Sequence, residues 1–183
     1  MNKKRRNYFI ASVVTLIVLG SATFLWFKFY GYKYALNSPD AKNLIYSYVS
    51  KAGPTDGDVT ITSYEATRNA LALHLNGTVV DDGDLLSAPW LVAWTILPVV
   101  FHKTTAEEVT LYWKDYLIVT YDRDTYHSRR QFLLAYYGDV QQQCIWFLRD
   151  AKSYKWTNEE VWKRATGEDG WFTKKEIPLS KGY

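Results

Sequence analysis

Cysteine is nearly absent from this chain, which has one, Cys144, among its 183 residues. A single thiol excludes a framework of internal disulfide bonds, and it excludes a metal site built from several cysteines. Cys144 falls on the apolar stripe of a predicted helix, where a small buried thiol is more common than a nucleophile. We therefore interpret Cys144 as a core residue.

The chain also lacks a strong excess of either charge. Its formal net charge of +3 comes largely from Lys3, Lys4, Arg5 and Arg6, and the other 18 basic residues nearly balance 19 acidic ones. Proteins that bind nucleic acid usually carry a basic patch that contacts the phosphates. The nearly neutral body of the chain therefore predicts no nucleic-acid partner.

Recognisable catalytic and cofactor motifs are missing as well. The sequence has no glycine-rich phosphate loop, no zincin helix and no nucleophile elbow. Its three histidines, His74, His102 and His127, have no acid or nucleophile at the spacing from which a catalytic triad could be assembled. We expect no cofactor.

The most concentrated polar chemistry is the hexapeptide DRDTYH at residues 122–127. Asp122, Asp124 and His127 could offer oxygen and imidazole ligands to a divalent metal. However, Asp-x-Asp is a common tripeptide, and an aspartate just before a helix normally caps it. We favour the capping interpretation and keep the metal site as the weaker alternative.

Aromatic side chains, in contrast, are abundant. They make up 17% of the chain, with eight Trp and 15 Tyr. Such rings fill small cores, but they also sit at membrane interfaces and stack on sugars. Composition alone leaves these three roles open.

The N-terminal segment has the pattern of an uncleaved membrane anchor. A basic tail, residues 1–6, precedes a predicted transmembrane helix over residues 7–28, which is long enough to cross the hydrocarbon core. Tyr8 lies at one interface, and Trp26 and Phe27 lie at the other. A cleavable signal peptide would have a shorter apolar region followed by small residues, whereas bulky rings stand here.

The basic tail also predicts the orientation of the chain. Positive residues that flank a membrane helix stay in the cytoplasm. Residues 29–37 would then form a juxtamembrane linker, and residues 38–183 would form a domain on the extracytoplasmic side. We expect a single-pass protein of the cell membrane.

Within the domain, the pattern predicts helices and two pairs of strands. Ser38 is the expected N-cap of a helix over residues 39–52. Period-two alternation over residues 58–80 predicts a hairpin that turns at Asn76-Gly77, and residues 107–121 predict a second pair.

Toward the C-terminus the pattern returns to helical spacing. A helix over residues 125–151 with a break at Gly138 is favoured, and a Gly-Asp hairpin at 138 and 139 is the competing interpretation. Thr157 and Glu160 have capping-box spacing for another helix, which Gly167 can end. The fold class is therefore predicted as α+β, with an antiparallel sheet of about four strands flanked by helices.

Residues 85–101, LLSAPWLVAWTILPVVF, form an uncharged run of 17 residues. The run could be a second membrane span or a segment of the folded domain. Pro98 is expected to stop a helix here, which leaves about ten helical residues, too few to cross a bilayer. A crossing would also separate the two strand pairs, so we favour the folded segment. Trp90 and Trp94, one turn apart, would suit a surface that meets a membrane or a partner.

Function is then inferred from placement. We expect a membrane-anchored, non-enzymatic subunit or scaffold of an envelope assembly of the secretion, conjugation, pilus or division type. Its partners would be the lipid bilayer, other membrane or envelope proteins, and further copies of itself. One alternative is a glycan- or peptidoglycan-binding module, which predicts coplanar exposed rings in a groove. The other is a membrane-tethered hydrolase, which predicts that Asp122, Asp124 and His127 converge in a cleft.

Overall fold

The computed structural model of the chain describes residues 33–52, 58–78, 84–129, 139–167 and 172–182, together with residues 15 and 19–21. The chain divides into two compact units, Met1–Lys33 and Tyr34–Tyr183. In the first unit, residues 15 and 19–21 are helical. The rest of the predicted transmembrane helix and the whole basic tail lie outside the described residues.

The second unit is a mixed α+β domain. Its described strands are β1 (Val59–Ala66), β2 (Ala70–Gly77), β3 (Glu108–Trp113), β4 (Leu117–Asp122), β5 (Ser153–Trp156) and β6 (Ser180–Lys181). Its described helices are α1 (Pro39–Val49), α2 (Asp84–Lys103), α3 (Arg123–Arg129), α4 (Val140–Asp150) and α5 (Glu159–Ala165).

The described strands form one sheet in the order β1-β2-β3-β4-β5-β6. Six strands in a simple meander would form five antiparallel pairs, but here β2 and β3 run parallel, whereas every other described pair is antiparallel. Parallel neighbours need a crossover connection, and α2 lies between these two strands in sequence. The prediction of a four-stranded antiparallel sheet is therefore corrected to six described strands with one parallel pair. The two additional strands, β5 and β6, have only four and two residues. Segments this short give no clear period-two pattern in the sequence.

The predicted turn at Asn76-Gly77 is wrong. Both residues belong to β2, where Gly77 pairs with Val59, and the chain reverses instead just after β1, where Thr67 N–H donates to the carbonyl of Ala70 at 2.9 Å. A Cβ on Gly77 would lie 2.8 Å from the ring of Trp113. Glycine is needed here because an indole packs directly on the backbone, and not because of a turn.

Several other predictions are confirmed with small changes of boundary. Ser38 caps α1 by accepting from Ala41 N–H at 3.2 Å. The second pair of strands is present as β3 and β4, and they are joined by a tight turn in which Lys114 has a φ of 49°. Residues 123–129 and 140–150 are helical, and Asp139, which the competing hairpin included, is the N-cap of α4, while Gly138 lies outside the described residues.

The capping box at Thr157 is corrected by one residue. Asn158 is the N-cap of α5 and accepts from the backbone N–H groups of Glu160 and Val161 at 3.1 and 3.2 Å. The hydroxyl of Thr157 instead donates to the carbonyl of Asp115 at 2.6 Å.

Residues 84–103 form one continuous helix that includes Pro98, so the predicted stop at this proline is wrong. Burial of one side of the helix compensates for the hydrogen bond that proline removes. The buried residues are Leu85, Leu86, Pro89, Val92, Ala93, Ile96, Leu97, Val100 and Phe101. They belong to the same hydrophobic core as the strands on both sides of the helix in sequence, as expected for a segment that folds into the domain. Among the described helices α2 alone is long and apolar enough to cross a membrane, and half of its apolar window is buried.

Candidate functional site

One face of the sheet packs into the core, and the other does not. The buried strand residues are Leu71, Leu73, Leu75, Val109, Leu111, Trp113, Leu117, Val119, Tyr121, Tyr154 and Trp156. Side chains alternate between the two faces along a strand, so their neighbours point to the opposite side. A bulge between Ile61 and Ser63 adds one residue to β1, so the β1 residues on both sides of the bulge still pair with β2 residues of the same face.

We call the opposite side of the sheet the open face. It comprises Ser63, Glu65, Ala72, His74, Glu108, Thr110, Tyr112, Ile118, Thr120, Asp122 and Lys155. All of these side chains are half-buried or exposed. The open face mixes small polar, aromatic and charged residues over five neighbouring strands, so it is a broad surface that offers both apolar contacts and hydrogen bonds.

The centre of the open face is ordered by contacts between side chains. The ring of His74 stacks on that of Tyr112, with centroids 4.3 Å apart and an interplanar angle of 2°. His74 Nε2 also lies 3.6 Å from Glu65 Oε1, and the hydroxyls of Thr110 and Thr120 are 3.1 Å apart. These contacts limit the rotamers of the central side chains, which lowers the entropy lost when a partner binds.

One end of the open face carries a small charged cluster. Lys152 Nζ donates to Glu108 Oε2 at 2.7 Å and lies 3.8 Å from Asp122 Oδ2. The hydrogen bond with Glu108, with its negative charge, raises the pKa of Lys152. The charges largely neutralise one another, so this end presents polar groups without a strong field.

The structure does not gather the hypothetical metal ligands into a site. Asp122 Oδ1 accepts from Thr125 N–H at 2.7 Å, so the capping interpretation is confirmed. Asp124 is exposed, and the ring of His127, also exposed, faces that of His102 at 5.6 Å. In the part of the chain that the structure describes, no group of three or more His, Cys, Asp or Glu side chains is arranged to hold a metal.

Arg123, in the same hexapeptide, has a role that sequence reasoning missed. Its guanidinium donates to the carbonyls of Phe101, Thr104 and Ala106 at the end of α2 and forms an ion pair with Glu107 at 3.1 Å. Arg123 therefore ties the last turn of α2 and the residues that follow it to the start of α3. Such a long-range cap leaves no local pattern in sequence.

The tryptophans that the structure describes lie in the core or pack against it. Trp113 and Trp156 are 2% exposed, whereas Trp90 and Trp94 are half-buried and pack against the core cluster. The indole nitrogen of Trp90 is buried and has no hydrogen-bond partner among the described residues. Trp94 is thus the better placed of the two for an external contact.

A cleft beside α1 is a second feature that the sequence did not suggest. It has a volume of about 390 Å³ and is lined in part by Leu36, Lys42 and Tyr64. Lys42 Nζ lies 5.7 Å from the ring centroids of both Tyr46 and Tyr64. Tyr64 donates its hydroxyl to the carbonyl of Leu36 at 2.7 Å, and burial raises its pKa to about 12. This cleft places two tilted rings near a cation rather than a row of coplanar rings.

The remaining predicted residues have simpler outcomes. Cys144 is fully buried in α4, and burial raises the pKa of its thiol, so it is a core residue as predicted. The predicted anchor residues Lys3, Lys4, Arg5, Arg6, Tyr8, Trp26 and Phe27 lie outside the described residues. Comparisons with protein-family models, with curated proteins and with solved structures find no match to this chain.

Proposed function

We propose that this chain is a membrane-anchored, non-enzymatic subunit of an envelope assembly, and that its open face is the surface that contacts a protein partner. The observation that supports this proposal is the contrast within one sheet. One face is filled by a helical layer, while the other presents half-buried Tyr112, Ile118 and His74 beside hydroxyl groups. Protein interfaces commonly combine an aromatic centre with a polar surround.

The size and order of the open face suit such a role. Its residues come from five strands held by continuous ladders, so the surface is a rigid platform rather than a set of loops. A rigid platform binds with little ordering cost. Oppositely charged groups at its end, Lys152 with Glu108 and Asp122, would favour a partner with matched polar groups over indiscriminate association.

The anchor in this proposal is supported by the sequence pattern of residues 1–28. The N-terminus would lie in the cytoplasm, and the domain would lie on the extracytoplasmic side. The helical state of residues 15 and 19–21 is compatible with a helix over residues 7–28. The shared core of α2 with the strands before and after it supports a single crossing, because both strand pairs must then lie on one side.

Site-specific photocrosslinking in native membranes tests the contact surface. A benzophenone side chain replaces Tyr112 on the open face, and the matched control replaces Tyr48, which is 42% exposed on α1. We expect discrete protein adducts from position 112 that are absent at position 48. Ile118→Arg, which adds charge beside Tyr112, should remove those adducts without lowering the amount of chain in the membrane.

Equal adducts at both positions, or adducts that persist in Ile118→Arg, would contradict the proposed contact surface. The alternatives predict different results. A glycan-binding module would cosediment with purified peptidoglycan and lose this property on Tyr46→Ala. A tethered hydrolase would lose the activity of its parent system on Asp124→Ala with His127→Ala, while its folding stayed unchanged.

A further inference from the structure

Helix α2 turns an uncharged side outward. Its buried residues lie on one side of the helix, and the opposite side carries half-buried residues that we call the outer stripe. The outer stripe comprises Ser87, Ala88, Leu91, Trp94, Thr95, Pro98 and Val99. The side of a surface helix that faces away from the core is normally charged or polar. Here no charged residue stands between Asp84 and His102.

The two hydroxyl groups of the outer stripe are already satisfied within the helix. Thr95 donates its hydroxyl to the carbonyl of Leu91 at 2.9 Å, and Ser87 donates to Asp84 Oδ1 at 3.2 Å. Groups that are satisfied in this way do not need water as a partner. These two hydroxyl groups can therefore enter an apolar environment without breaking their hydrogen bonds.

The end of α2 is fixed close to the point where the chain leaves the domain. Tyr34 N–H donates to the carbonyl of Lys103 at 2.8 Å, and Thr105 N–H donates to the carbonyl of Tyr34 at 3.0 Å. In the sequence, only residues 29–33 stand between Tyr34 and the predicted transmembrane helix. The proposed anchor therefore ties the domain to the membrane through a short segment of chain.

We infer that the outer stripe of α2 rests on the lipid surface of the membrane that anchors the chain; the inference builds on the proposed anchor. A membrane surface accepts an uncharged helix face with an interfacial indole such as Trp94. Exposed His102 and Lys103 follow the stripe, where Lys103 can meet anionic headgroups. The buried side of α2 belongs to the same core as the inner side of the sheet, so the proposed placement leaves the open face available to a partner.

Single-cysteine labelling of the full-length chain in vesicles tests the inference. The vesicles contain phosphatidylcholine and phosphatidylglycerol, with or without a lipid that carries a nitroxide near the top of its acyl chain. An environment-sensitive fluorophore is attached at Thr95→Cys on the stripe and, as the matched control, at Thr110→Cys on the open face. Wild-type chain treated with the same reagent controls for Cys144, which is buried.

We expect the nitroxide lipid to quench most of the emission at position 95 and to leave position 110 nearly unchanged. Equal quenching at both positions, or none at position 95, would overturn the inference. Emission at position 95 that shifts only with protein density, and not with the nitroxide lipid, would assign the stripe to a second copy and would also overturn it. A third label at Ser12→Cys reports on the anchor by itself. If position 12 is quenched and position 95 is not, the inference fails while the proposed anchor stands.

Discussion

The two faces of the same sheet differ sharply although they are built from the same strands. Along β2, Leu71, Leu73 and Leu75 are at most 2% exposed, whereas the intervening Ala72 and His74 are half-buried on the open face. We call the side of the sheet that carries these leucines the core face. The core face is constrained by close packing with the helices. The open face carries no such constraint, so its residues are available for a contact function. The difference predicts that substitutions on the two faces will separate stability from partner binding.

The largest effect is expected at the centre of the core face. Leu73 is 0% exposed, and Leu73→Ala should lower the free energy of unfolding by about 2–5 kcal/mol, because it removes buried methyl groups and leaves a cavity. Urea denaturation of the full-length chain in mild detergent measures this loss. A loss in the free energy of unfolding as small as that of a surface substitution would contradict the proposed difference between the two faces.

A smaller loss is expected where the core face has no room. In Gly77→Ala the new methyl group would lie 2.8 Å from the Trp113 ring, so overpacking should cost about 1–3 kcal/mol. Thr78→Ala, one residue further along and exposed, is the control. An unchanged denaturation midpoint in Gly77→Ala would contradict the packing of Trp113 on β2.

At the end of the open face, Asp122 has a structural role that is separate from any contact. Asp122→Ala removes the cap on Thr125 N–H and should cost about 0.5–2 kcal/mol, while Asp122→Asn, which can still cap, should retain most of the stability. The same denaturation measurement distinguishes the two variants. Equal losses in both would mean that the charge, and not the cap, is what matters.

Alkaline pH probes the edge of the core face through Tyr64. Burial raises its pKa from 10.0 to about 12, so its stabilising contribution is complete below pH 10 and is lost as the pH rises from 10 to 12. Tyr64→Phe should cost about 0.5–1.5 kcal/mol at neutral pH through the lost hydrogen bond to Leu36. It should also make stability fall less steeply between pH 10 and 12.

Exposed Tyr48→Phe is the control for the loss at neutral pH and should change the free energy of unfolding by less than about 0.5 kcal/mol. A Tyr64→Phe variant that retained the full alkaline loss would assign the loss to other tyrosines, of which Tyr154 has a pKa that burial also raises to about 12.

The smallest effect on stability is expected on the open face itself. Lys155 is exposed in register with Ile118, and Lys155→Ala should change the free energy of unfolding by less than about 0.5 kcal/mol. The same substitution should weaken the crosslink formed from position 112. A variant that lost stability and kept its crosslink would reverse the proposed division between the two faces.

Local patterns in the sequence were sufficient for elements that depend on neighbours along the chain. Ser38 predicted the start of α1, alternation predicted β3 and β4, and the apolar stripe predicted that Cys144 is buried. Patterns of this kind reflect propensity, capping and burial periodicity within one element. They also indicated an α+β domain.

Other features depend on contacts between residues far apart in sequence, and only the tertiary structure decided them. The pair Asn76-Gly77 favours a turn in the sequence, but Gly77 lies within a strand, where the ring of Trp113 leaves no room for a Cβ. Pro98 predicts a helix stop, but burial of one side of α2 in the shared core carries the helix past it. The connection through α2 makes β2 and β3 parallel neighbours. Long-range packing, and not local propensity, selects which strands become neighbours and therefore which side chains form the open face.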